Sequence, residues 1–134
     1  MIMASQTRQK MLFFFLPKND RHVSGSTQTI KTISQEKKIK VHLKKISDIM
    51  NIYEHKKIDL LKIDIEGAEY SVLKNILQEN LVINQIVVEF HPHFIKNGKR
   101  KTKLILKDLK SHGFKCFGVS KSFLEFSFIK TKVL

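Results

Sequence analysis

Residues 58–69 read IDLLKIDIEGAE, an apolar run that ends in a cluster of acidic residues. Five of the first eight side chains are Ile or Leu, which is typical of a strand covered on both faces within a parallel sheet. Asp64, Glu66 and Glu69 then follow within six residues. The stretch therefore predicts a buried strand, a helix directly after it, and a functional edge where the two meet.

The length and composition of the chain predict one globular domain. It has 134 residues, of which 42% are hydrophobic and 9% aromatic. The formal net charge of +13 is spread through lysine-rich segments without regularly interleaved aromatic residues, so we interpret it as a solvated surface and do not expect a nucleic-acid partner. A basic nucleic-acid binder remains a reference hypothesis, and it predicts affinity that falls steeply with salt.

Cysteine content and hydropathy bear on the cellular location. Cys116 is the single cysteine, which excludes an internal disulfide, and its apolar strand context predicts a buried small hydrophobe. The longest early apolar run, 11–16, is far shorter than the ~20 residues that span a bilayer. We expect a soluble, cytoplasmic protein with no membrane partner.

The chain divides into a polar tail at 1–10, predicted to be disordered, and a domain at 11–134. Strand and helix alternate from 38 to 114, which predicts a parallel sheet with helices on its faces. The last two strands are joined by only a few residues and must be antiparallel to each other. The expected elements are strands 11–16 and 38–43, helix 47–53, strand 58–64, helix 66–77, strand 83–90, helix 99–111 with the apolar stripe Leu104, Ile105 and Leu109, and strands 115–120 and 122–129.

Two charged clusters follow two of these strands. DIEGAE (64–69) ends one strand, and EFHPH (89–93) ends the next. In an open parallel sheet, ligands bind beyond the carboxyl ends of the strands. We therefore expect Asp64 and Glu89 to reach one shared cleft.

These residues carry a resemblance to a known family. The string IDLLKIDIEGAEYSVLKNIL (58–77), followed by QIVVEFH (85–91), resembles the FkbM-type S-adenosylmethionine-dependent methyltransferases, in which a strand ending LKIDxEGxE precedes a helix and a strand ending in Glu. The loop LPKNDRHVSGS (16–26) is similar, more loosely, to a loop of some members.

The resemblance implies an α/β fold, a class I methyltransferase-like (Rossmann-like) parallel sheet that ends in an antiparallel hairpin. It also implies S-adenosylmethionine as cofactor, bound across the carboxyl ends of the first strands. A glycine-rich DxGxNxG-like turn normally holds that cofactor, and the sequence contains none. We therefore expect 11–134 to be a partial FkbM-type domain that lacks the first strands, so that strand 58–64 has an open edge.

The resemblance also implies roles for individual residues. Asp64 is expected to contact the methyl acceptor or the cofactor amine, with capping of the following helix as the alternative. Glu66 and Glu89 are the other candidate catalytic residues, although Glu66, like Glu69, could merely complement the dipole of the first helical turn, which is the interpretation we favour for Glu69. The candidate substrate-binding residues are His22, Ser24 and His91, and a loop capped by its own hydroxyls is the alternative for the first two.

A divalent cation is a further alternative at the same edge. Glu89, His91 and His93 alternate along an extended segment and could join Asp64 in binding one. Pro92 interrupts the alternation, and histidines are common in exposed loops, so sequence alone assigns no metal ligand.

Two functions of different classes follow. The first is an S-adenosylmethionine-dependent O-methyltransferase, or a fragment of one, acting on a hydroxyl of a sugar or small molecule. The second is a catalytically inactive remnant that acts as an interaction module, pairing with a second copy or another chain through the open strand edge.

Overall fold

A computed structural model of the chain describes residues 10–17 and 33–131. The candidate residues His22 and Ser24, and residues 1–9 of the predicted tail, lie outside these ranges. The elements are β1 (Lys10–Pro17), β2 (Ile33–Leu43), α1 (Ile46–Ile52), β3 (Ile58–Ile63), α2 (Glu69–Gln78), β4 (Ile83–Glu89), a 3₁₀ helix (Pro92–Phe94), α3 (Gly98–Ser111), β5 (Phe114–Val119) and β6 (Glu125–Lys130).

Four strands form the main sheet, in the order β3-β4-β6-β5. β3 and β4 are parallel, with α2 as the crossover between them, and β6 lies between β4 and β5, antiparallel to both. The predicted antiparallel pairing of the last two strands is therefore confirmed. This mixed α/β arrangement is compatible with a Rossmann-like fold.

The placement of β2 corrects a prediction. We expected 38–43 to open the parallel sheet, but β2 begins at Ile33 and pairs antiparallel with β1. The reason is visible in KIKVHL (38–43), where polar and apolar residues alternate strictly. That pattern belongs to an antiparallel strand with one solvated face, whereas strands buried in a parallel sheet are apolar almost throughout.

The core lies on one face of the main sheet, beneath α2 and α3. Side chains from both helices and from β3, β4, β5 and β6 form a single buried cluster. Its members are Ile63, Leu73, Ile76, Leu77, Ile83, Ile86, Val88, Phe90, Ile105, Leu109, Phe114 and Phe128.

The opposite face of the sheet is largely exposed, which overturns the expectation of strands covered on both faces. In β3 the side chain of Leu60 is 59% exposed and Lys62 is also exposed, although Ile63 on the other side is buried. In β4, Gln85 opposite Leu60 is exposed too. Because side chains alternate along a strand, α2 and α3 cover only one of the two sets.

Three side-chain and boundary predictions differ from the structure. The predicted helix 66–77 begins only at Glu69, and Gly67 lies in the preceding turn with φ 98°. Cys116 is exposed rather than buried, because β5 is an edge strand with most side chains outside the core. Leu104 is 52% exposed, while the other two residues of the predicted α3 stripe are buried. None of the described helices is both long and apolar enough to cross a bilayer.

A close backbone contact joins the start of α3 to the 3₁₀ helix. Gly98 is buried, and its N–H donates to the Ile95 carbonyl at 3.2 Å. A Cβ placed on Gly98 would overlap the Pro92 carbonyl oxygen, so only glycine fits without backbone movement. This contact fixes where the chain runs after β4.

We expect Gly98→Ala to lower the free energy of unfolding by about 1–3 kcal/mol, the usual cost of forcing a group into a packed region. Gly118→Ala is the matched control, because a Cβ there would meet only Ser127 at an ordinary 3.4 Å. The free energy of unfolding of that variant, measured in urea, should stay within about 0.5 kcal/mol of the wild-type value. Equal losses of stability from the two substitutions would contradict the role of the Gly98–Pro92 contact.

Candidate active site

Two parallel strands end at the same rim of the main sheet. β3 ends at Ile63, which pairs with Val88 one residue before the end of β4. Asp64 and Glu89 therefore leave the sheet side by side. Ligand atoms of Asp64, Glu89 and His91 all lie within 4.8 Å of one another, so the expected meeting of Asp64 and Glu89 at one rim is confirmed.

His91 is the centre of this cluster. It lies two residues after the end of β4 and is only 7% exposed. Its Nε2 atom lies 3.9 Å from Asp64 Oδ1, 3.8 Å from Glu66 Oε2 and 3.8 Å from Glu89 Oε1. These separations are too long for hydrogen bonds, so the three carboxylates lie around Nε2 without hydrogen-bonding to it.

Glu69 contacts His91 from the buried side of the cluster. It is fully buried, and its Oε1 atom lies 2.9 Å from Nδ1 of His91. The same oxygen accepts hydrogen bonds from the N–H groups of Gly67 at 2.9 Å and Ile65 at 3.3 Å. Glu69 Oε2 is also buried and has no hydrogen-bond partner in the described part of the chain. One carboxylate thus connects the start of α2, the turn after β3 and the histidine after β4.

The turn between β3 and α2 has an unusual backbone. Glu66 has φ 52° and Gly67 has φ 98°, so two consecutive residues lie in the left-handed region. Glycine adopts this conformation freely, but for glutamate it is uncommon and has to be held by surrounding contacts. The hydrogen bonds from Ile65 and Gly67 to Glu69 hold the turn on both sides of Glu66.

Aromatic side chains enclose the buried side of the site. The His91 ring stacks on Phe94, with centroids 5.5 Å apart and planes 9° from parallel. Tyr70 packs against Phe90 at 5.3 Å, and its hydroxyl lies 2.8 Å from Oγ1 of Thr102 on α3. Partial burial raises the pKa of the Tyr70 hydroxyl above its usual value, so this group stays protonated at neutral pH.

Comparison with known proteins identifies the family of the chain. The sequence profile described as "Methyltransferase FkbM domain" matches residues 4–116, well over half of the chain. The chain belongs to the FkbM methyltransferase family. The resemblance drawn from residues 58–91 is therefore confirmed.

Curated relatives carry methyltransferase names. The FkbM chain is 34% identical over 88 residues to "Probable methyltransferase-like protein 24" of Rattus norvegicus, covering 58% of this chain and 24% of the relative. It is 39% identical over 69 residues to "Methyltransferase sdnD" of Sordaria araneosa, covering 44% of this chain and 27% of that protein. The chain thus spans about a quarter of the length of these relatives. No solved structure matches it significantly.

Most of the predicted site residues come together in the FkbM chain. Asp64, Glu66, Glu89 and His91 share one cluster. His93 is exposed on the 3₁₀ helix and faces Phe94, so it does not extend the alternation of Glu89 and His91. Glu66 precedes α2 and does not lie in its first turn, contrary to the predicted helix 66–77.

Glu69 is the residue whose role sequence reasoning missed. We interpreted it as a first-turn acid on the helix surface, whereas it is buried and bonded to the turn and to His91. A signal was present, since Glu69 is the last residue of the LKIDxEGxE pattern. That pattern spans the turn, and a carboxylate placed just after it can accept the N–H groups of a left-handed backbone.

Glu69→Ala should lower the free energy of unfolding by about 3 kcal/mol, because it leaves two backbone N–H groups and the His91 imidazole without their buried acceptor. Alanine favours helices, so helix propensity cannot explain such a loss. Glu69→Gln keeps an acceptor oxygen and should cost less. Exposed Gln78→Ala in the same helix is the control in urea unfolding. A loss no larger than that of the control would refute the supporting role of Glu69.

Proposed function

We propose that this FkbM chain carries the acceptor side of an S-adenosylmethionine-dependent O-methyltransferase, which transfers a methyl group to a hydroxyl of a sugar or small molecule. The observation that carries the proposal is the meeting of Asp64 and Glu89 at one rim, around the Nε2 atom of His91. Family membership and the names of the relatives support methyl transfer in general. Family membership does not specify the methyl acceptor, and a hydroxyl acceptor is our proposal.

The residues present fit the cofactor in part. S-adenosylmethionine carries positive charge on its amine and its sulfonium, and it supplies an electrophilic methyl group when bound. Asp64 suits the amine, because its side chain is 42% exposed at the rim. The glycine-rich turn for the rest of the cofactor does not occur in the sequence. We propose that residues other than these 134 complete that half of the site, either in the same polypeptide or in a partner.

The carboxylates are placed to deprotonate and orient an acceptor hydroxyl. Glu89, with a side chain 34% exposed, is the proposed base that takes the hydroxyl proton as the oxygen attacks the methyl carbon. Glu66, at 21% exposure, would orient the acceptor, and His91 would contact it through Nε2 alone, because Nδ1 is held by Glu69. Loop residues His22 and Ser24 are proposed to line the acceptor pocket.

Glu89→Gln should reduce the rate of methyl transfer by about a hundredfold or more, the usual contribution of a positioned acid or base. Asp64→Asn should reduce it as well, because the cofactor amine loses its proposed carboxylate partner. The assay follows radiolabelled methyl transfer from S-adenosylmethionine to a panel of sugars and small alcohols. Asp59→Asn is the matched control, since Asp59 lies on the same strand but at its opposite end, bonded to Lys57 and Asn84. Unchanged turnover in both site variants would contradict the assignment.

Calorimetry with the full chain tests cofactor binding separately. Heat on addition of S-adenosylmethionine, reduced in Asp64→Asn, would support the proposed contact with the cofactor amine. No heat at millimolar cofactor would contradict activity of this chain by itself. An in-frame DxGxNxG-like sequence upstream of Met1 in the gene would then locate the missing half of the site.

One observation favours the interaction module as a second candidate. Within the described sheet, β3 is an edge strand, with β4 as its neighbour on the other side. An unpaired edge of an apolar strand is a template for pairing with another chain. Leu60 adds a large exposed apolar side chain to the same strand.

If β3 binds a second copy of the chain, light scattering should give twice the mass of 15.7 kDa. Leu60→Glu should then return the protein to the monomer, because a buried charge opposes association. Leu104→Glu is the control, as Leu104 is similarly exposed but lies on α3. A monomer that does bind S-adenosylmethionine would argue for the enzyme instead.

A further inference from the structure

The strongest unexplained feature of the site is the environment of His91 Nε2. Three carboxylates surround this atom, and a fourth holds the other ring nitrogen from the buried side. We propose that Asp64, Glu89 and His91, assisted by Glu66, bind a divalent first-row transition-metal ion. Sequence alone assigns no metal here, and the structure adds the contact between Glu69 and His91.

The separations between the donor atoms suit one shared ion. Metal–nitrogen and metal–oxygen bonds of about 2.0–2.2 Å place two ligands of the same ion roughly 3.0–4.3 Å apart, depending on the angle between them. Nε2 of His91 lies 3.8–3.9 Å from the carboxylate oxygens of Asp64, Glu66 and Glu89. These distances exceed a hydrogen bond and match two ligands on a common ion.

Glu69 supplies an independent observation that points to an ion. Glu69 Oε1 lies 2.9 Å from Nδ1 of His91, a distance that suits an Nδ1–H group donating to a carboxylate oxygen. In that tautomer Nε2 carries the free lone pair, and it faces the carboxylates of Asp64, Glu66 and Glu89. Histidine ligands of metals commonly donate their other nitrogen to a carboxylate in this way.

A buried carboxyl group lies beneath the cluster. Glu69 is completely buried, and its Oε2 atom lacks a hydrogen-bond partner among the described residues. A divalent ion at Nε2 would bring a strong positive charge close to this group and to the carboxylates of the rim.

The donor set indicates the class of ion. Magnesium and calcium take oxygen ligands, whereas an imidazole nitrogen together with carboxylate oxygens suits ions such as Mn²⁺ or Fe²⁺. Binding of the ion can be measured without methyl transfer, but it uses Asp64, Glu89 and His91, so an ion held by them would replace the direct contacts that the proposed function assigns to these residues. A role for the ion in polarising the acceptor hydroxyl, by contrast, rests on the proposed function.

The test is titration of Mn²⁺ with the untagged full chain, followed by the loss of the electron paramagnetic resonance signal of free Mn²⁺. We expect one strong site per chain, and at least tenfold weaker binding in Asp64→Asn and in Glu89→Gln. Asp59→Asn makes the same change on β3 away from the rim and should bind as the wild type does. His91→Ala should also weaken binding, with exposed His55→Ala as its control.

Thermal melts of each variant in the absence of metal separate lost binding from lost folding. Asp64 is exposed, so Asp64→Asn should melt as the wild type does and provide the decisive comparison if His91→Ala unfolds. Failure of the wild type to bind Mn²⁺ at millimolar concentration, or equal binding by Asp64→Asn and Asp59→Asn, would overturn the proposal. Calorimetry of the wild type with S-adenosylmethionine is a separate readout, so failure to bind Mn²⁺ and failure to bind the cofactor are distinguished from each other.

Discussion

The buried carboxylate of Glu69 is the interaction on which the site depends. A single oxygen accepts the N–H groups of Ile65 and Gly67 and contacts Nδ1 of His91. Burying a carboxylate is costly unless it is paired and hydrogen-bonded, and breaking such a pairing leaves an uncompensated charge in the interior. The turn, the helix start and the histidine are therefore coupled, because displacement of any one of them removes a partner of the same buried group.

The sheet decides which residues meet that carboxylate. α2 connects β3 to β4 in parallel, so both strands end on the same side, and the register between Ile63 and Val88 aligns their last residues. The far side of β4 is fixed by β6, and the N–H of Phe90 donates to the Leu124 carbonyl at 2.8 Å. Acids contributed by separate segments consequently surround one imidazole at the carboxyl edge of the sheet, where open α/β folds bind their ligands.

Much of this arrangement could be predicted from the sequence. The apolar runs at 58–63 and 83–89, with a helical pattern between them, sufficed for two parallel strands and hence for the shared rim of Asp64 and Glu89. The left-handed backbone at Glu66 could not be predicted, since only tertiary contacts hold a glutamate there. The exposure of Leu60 and Cys116 also escaped prediction, because apolar composition does not reveal which face a neighbouring element covers.

The position of β6 also affects how the molecule is made. β6, which follows β5 along the chain, lies inside the sheet, between β4 and β5. During synthesis, β5 therefore leaves the ribosome before the strand that joins it to the sheet, and β4 keeps one edge unpaired until residues 125–130 emerge. The main sheet can close only after translation of this part is complete, so the nascent chain exposes unpaired strand edges until then.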